Sequence, residues 1–126
     1  KDYAISSGQT GVITSIGQIV DFRSVIPEGA TIQSITLYCP TGTRVTQSKY
    51  TAINNYLVTD LDTEDTTTIP FQVTSNPSSK NTSTVLAGKP ANVRFLVQIQ
   101  GRILQQYTGM DGFTVFGGKM LVTYRE

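Results

Sequence analysis

The sequence predicts an all-β fold: an antiparallel β-sandwich of about eight strands, jelly-roll-like and contained in a single domain over residues 1–126. Three observations predict it. Thr, Val, Ile, Tyr and Phe, which suit a pleated, half-buried surface, are plentiful, whereas the Glu and Ala of long helices are scarce. Turn signals recur at short spacing, and Pro27-Glu28-Gly29 and Pro40-Thr41-Gly42 each close an apolar run. Residues 91–100 set Val93, Phe95, Val97 and Ile99 against Asn92, Arg94, Leu96 and Gln98, the period-two pattern of a strand with one face on a core.

The elements follow in order. Val12-Ile13-Thr14 is a short strand between Gly11 and Gly17. Residues 19–26 alternate loosely until Pro27 stops them. Residues 31–39 form the next strand, with Ile35 and Leu37 on one face and Ser34 and Thr36 on the other. Residues 43–49 are polar and suit an edge strand or a loop, and Tyr56-Leu57-Val58 a short buried strand. A single helical turn is conceivable only over residues 54–61. Residues 66–74 resume the β pattern with Phe71 and Val73 on one face, and Pro70 confines them to an edge or a bulge. Residues 75–83 read as a loop. After the strand at 91–100, Gly101-Arg102, Asp111-Gly112 and Gly117-Gly118 are three hairpin signals, leading into residues 103–107, 113–116 and 120–124. The last third is therefore expected to be a four-stranded antiparallel run. Its final strand, Met120 to Tyr124, is expected to pair beside one of the two strands before it.

Composition excludes several functions. Ten Lys and Arg against nine Asp and Glu leave a net charge of +1, and the basic residues are scattered singly, unlike the basic face of a nucleic-acid module. No apolar run approaches the ~20 residues that span a bilayer, so no membrane insertion is expected. The absence of His removes the Ser-His-Asp and Cys-His arrangements and the commonest metal ligand. A glycosidase needs two opposed carboxylates, and no acidic pair stands in such a setting, so the expectation is a non-enzymatic protein. The single Cys39 makes no internal bridge and reads as a small buried apolar residue. The chain opens on Lys1 without a secretory leader, as expected of a processed protein or a piece of a longer one.

Two groups of residues are candidate sites. Asp60, Asp62, Glu64 and Asp65 gather hard oxygen donors, for which calcium is the fitting cation. The turn glycine and the distant bidentate Glu of a hand-type loop are missing, so the first expectation there is a solvated loop. Tyr50, Tyr56 and Tyr107, with Asn54, Asn55, Gln105 and Gln106 nearby in sequence, combine rings with amides as saccharide sites do, although tyrosines of a sandwich also serve as half-buried strand residues. Asn81-Thr82-Ser83 matches the glycosylation acceptor pattern. Leu96, Leu104 and Phe116 fall on the outward phase of their strands, which suggests a partner surface and a homo-oligomer.

The stretch DGFTVFGGKMLVTY, Asp111 to Tyr124, within a Ser/Thr/Gly-rich and Cys-poor chain, resembles the end of a phage tail-fibre receptor-binding head and related viral structural β-sandwiches. The resemblance implies a homotrimer on the virion surface that grips a cell-surface saccharide or protein for host attachment. The second reading is a bacterial secreted or surface domain, either a lectin-like carbohydrate-binding module or an adhesin.

Overall fold

A computed structural model describes residues 2–5, 11–47, 51–103 and 111–126. Its strands are β1 (Asp2–Ile5), β2 (Gly11–Thr14), β3 (Gln18–Asp21), β4 (Thr31–Tyr38), β5 (Arg44–Gln47), β6 (Thr51–Asp60), β7 (Thr66–Pro70), β8 (Thr82–Ser83), β9 (Arg94–Ile103), β10 (Asp111–Phe116) and β11 (Lys119–Arg125). The fold is an antiparallel β-sandwich, and its one helical element among the described residues is a 3-10 turn at Ser79–Asn81.

One layer has five strands, with β9 flanked on one side by β6 and then β7, and on the other by β2 and β3 in tandem. β2 covers the Gln100 end of β9 and β3 the Arg94 end. In the other layer β4 lies between β11 and β8. Past the end of β4 that layer continues as β5, paired with β10, which pairs in turn with β1. The ladder breaks between the pairs Lys119↔Tyr38 and Phe116↔Arg44, where Gly117 and Gly118 face residues 39–43.

Strand alternation builds the core. Ile35 and Leu37 of β4 face Tyr56 and Val58 of β6, Ile69 of β7, and Phe95 and Ile99 of β9, all buried. Phe95 is fully enclosed and meets Phe22 edge-on, with ring centroids 5.9 Å apart. Truncating a phenylalanine so placed costs about 3–5 kcal/mol.

Several expectations are corrected. Gly101-Arg102 is no turn: both residues continue β9, and the buried Gly101 lies opposite Ile13 on one side and Ile53 on the other. Asp111-Gly112 likewise sits within β10, paired with β1. The last three strands do not form a meander. β11 pairs with β4, and its other edge is free among the described residues. Residues 54–61 contain no helical turn, because β6 runs through to Asp60. The loose pattern at 19–26 divides into β3 and one turn in which Val25 and Ile26 N–H both donate to the Phe22 carbonyl. Residues 44–47 resolve as an edge strand, and β7 is an edge strand that ends at Pro70.

The two long sides of the sandwich differ. On one side β8 stitches the layers: Thr82 Oγ1 bonds Thr36 Oγ1 of β4 at 3.0 Å, and Ser83 Oγ bonds Thr67 Oγ1 of β7 at 2.6 Å. On the other side β2–β3 and β11 are both edges without a pairing partner among the described residues. Between β2 and β3 the chain kinks at Ser15-Ile16-Gly17. The buried Ser15 holds the kink to β9, donating its N–H to Ile99 O and accepting the Ile99 N–H on Oγ, both at 2.9 Å.

Candidate functional site

The open side leads into a cleft of about 170 Å³ between the layers. β3 contributes Gln18 and Val20 to its walls, β9 contributes Val97 and Ile99, and β11 contributes Lys119 and Met120. The buried Tyr56 also lines it, and behind it the phenol oxygen stands 3.0 Å from Sγ of the buried Cys39. The thiol donates to the Gly117 carbonyl at 3.8 Å, which leaves the phenol as donor to sulfur. Burial pushes the thiol up from its ordinary value, and burial followed by the Cys39 contact pushes the phenol up strongly. Both groups stay protonated at neutral pH, so the pair fastens the break in one layer to β6 of the other and offers no thiolate nucleophile. Large apolar side chains stand exposed around this side: Ile16 at the kink, Ile19 on β3, and Leu121 and Tyr124 on β11.

The saccharide candidates are only partly assembled. Tyr56 is a core residue, tilted against Phe71 at 5.5 Å, and has no surface on which a sugar could stack. Tyr50, Gln105, Gln106 and Tyr107 lie outside the described residues. Asn54 and Asn55 stand at a bulge in β6, between Ile53 and Asn55, at the end of the outer face of the five-stranded sheet. Gln100 and Arg102 join them there from β9 around a shallow depression of about 230 Å³. Neither was singled out from the sequence; the alternation of 91–100 places Gln100 outward, but only the strand register brings it beside Asn55.

The acidic residues do not converge. Asp60 is fully buried, and its Oδ1 accepts the N–H groups of Asp62 at 2.8 Å and Thr63 at 3.2 Å. Its Oδ2 is buried without a hydrogen-bond partner. The carboxylate thus organises the β6–β7 turn, in which Glu64 takes a left-handed φ of 65°. Asp65 turns to Lys89 at 3.0 Å, and the Thr63 hydroxyl and Lys89 lower its pKa. Among the described residues no three acidic or soft side chains are grouped to hold a metal. Asn81 of the acceptor pattern is buried, its Oδ1 accepting from Ser78 N–H at 3.0 Å and its Nδ2 donating to Gln72 Oε1 at 2.9 Å. Leu96 is half-buried on the outer face, Leu104 lies outside the described residues, and Phe116 is placed by its backbone pairing with Arg44. Among the described residues no helix is long and apolar enough to cross a membrane.

No protein-family model, curated protein or solved structure matches this chain.

Proposed function

We propose that this chain is a non-enzymatic assembly and attachment module of a viral or phage particle, joining copies of itself through the open side of the sandwich and presenting its loops and outer sheet face to a cell-surface ligand. One observation carries the reading: β2–β3 and β11, edges left unpaired among the described residues, flank a cleft, and these edges and the kink between β2 and β3 carry the exposed Ile16, Ile19, Leu121 and Tyr124. Free edges are templates for pairing with another chain, and an isolated domain normally blunts them with charge, proline or a covering loop. Here the opposite side is stitched by β8, while this one keeps apolar side chains in water. A closed ring, with a trimer favoured by the resemblance described above, satisfies such edges without leaving one exposed.

Sedimentation equilibrium tests the reading. The chain should run as a discrete oligomer, and Ile16→Lys combined with Leu121→Lys should reduce it to a monomer with unchanged circular dichroism. A parent chain that remains monomeric at its highest soluble concentration would refute assembly. A monomer that still bound glycans would favour the lectin-like carbohydrate-binding alternative.

A further inference from the structure

We infer that the amide shelf on the outer face of the five-stranded sheet is a binding site for a saccharide unit that carries a carboxylate; the inference rests on the attachment half of the function proposed above. Register creates the shelf. Gln100 of β9 lies opposite Thr14 of β2 and Asn55 of β6, so three polar side chains form one row across three strands. Asn55 Nδ2 donates to Gln100 Oε1 at 2.9 Å and to the Tyr56 carbonyl at 3.0 Å, and Gln100 Nε2 donates to Thr14 Oγ1 at 3.3 Å.

These bonds set the chemistry left for a ligand. Both hydrogens of the Asn55 amide are engaged, which leaves Oδ1 as an acceptor. One hydrogen of the Gln100 amide is engaged, which leaves a second donor. An acceptor and a donor on neighbouring, mutually fixed amides suit adjacent sugar hydroxyls, which both give and take hydrogen bonds. The bulge in β6 turns Asn54 out beside them, its carbonyl accepting from Phe71 N–H at 3.0 Å while its side chain is exposed. Val12, opposite Arg102 in the next row, is 65% exposed and offers the apolar contact that a sugar's C–H face needs.

Charge selects among saccharides. The depression is lined by Val12, Asn54, Asn55, Gln100, Gly101 and Arg102, with no carboxylate among them. The exposed Arg102 guanidinium is always charged, and its planar fork matches a carboxylate bidentately. A hexuronate supplies that carboxylate on a ring that otherwise presents hydroxyls.

The test is an NMR titration of the full chain, following backbone and side-chain amide signals with sodium glucuronate, glucose and sodium acetate. Glucuronate should move the side-chain amide signals of Asn54, Asn55 and Gln100. Glucose should bind about tenfold more weakly, since it lacks the charge-assisted contact. Arg102→Gln should bring glucuronate down to the glucose level, and Asn54→Ala should weaken both sugars. The inference is overturned if glucuronate moves none of these signals, if Arg102→Gln binds it unchanged, or if acetate gives the same shifts at the same affinity. Sedimentation of the same samples separates the two proposals, because shelf binding can fail while the oligomer mass stands.

Discussion

Replacing Gly17 by Ala should be far more damaging than replacing Gly29 by Ala, although both glycines have φ of 88°. At Gly29 an added Cβ meets nothing within 4 Å, so the cost is the left-handed backbone alone, about 1–2 kcal/mol. At Gly17 the same Cβ would stand 2.6 Å from Gln98 Cγ and 2.7 Å from the Val97 carbonyl oxygen. Gln98 could swing aside. Val97 O belongs to the central strand β9 and cannot move without disturbing the sheet, so overpacking adds about 1–3 kcal/mol. For 126 residues the unfolding entropy is about 0.26 kcal/mol/K, so each kcal/mol lowers Tm by about 4 °C. The expected falls are about 4–8 °C for Gly29→Ala and about 8–20 °C for Gly17→Ala. Calorimetry with urea unfolding at one fixed temperature measures both. A Gly17→Ala protein that melts no lower than Gly29→Ala would refute the close approach of the kink to β9.

Two further outcomes are expected. Asp60→Ala should cost about 1–3 kcal/mol in urea unfolding, because two backbone N–H groups lose their acceptor, whereas Asp62→Ala should be nearly neutral; equal losses would count against the buried turn. Tyr56 and Cys39 both have raised pKa values in the fold, so the native state holds their protons more tightly than the unfolded chain does. Their stabilisation is complete below pH 9, and is lost as pH climbs past the ordinary values of 9.0 for the thiol and 10.0 for the phenol. Tyr56→Phe should melt lower at pH 7 yet decline less steeply between pH 9 and 11, and parallel melting curves would contradict this.

The sandwich was legible wherever a strand's own alternation reported its burial. Phe95 and Ile99 are buried as the pattern of 91–100 requires, and Ile35 and Leu37 face the core while Ser34 and Thr36 do not. Pro70 marked an edge correctly because a missing N–H is a local fact. The connections were not legible, because glycine signals a turn and a crowded strand alike. Gly101 continues β9 between Ile13 and Ile53, and only the pairing reveals that. For the same reason the tyrosine that seemed a ligand platform proved to be core, and half of the amide shelf came from a strand 45 residues away.

The position of β9 has a consequence for how the chain acquires its shape. Its partners β2, β3 and β6 all precede it, so during synthesis three strands wait with an unsatisfied edge until residues 94–103 emerge. Among the described strands, β6 and β7 are the one pair joined by a short loop, and the buried Asp60 carboxylate ties that loop. This hairpin is the natural first structure, since local closure costs the least chain entropy. Everything else depends on non-local pairing, which puts the domain among slow folders whose half-made sheets are open to neighbouring chains. Crowding of nascent chains is therefore the hazard that comes with the architecture, since the edges that wait for β9 can meet those of a neighbouring chain first.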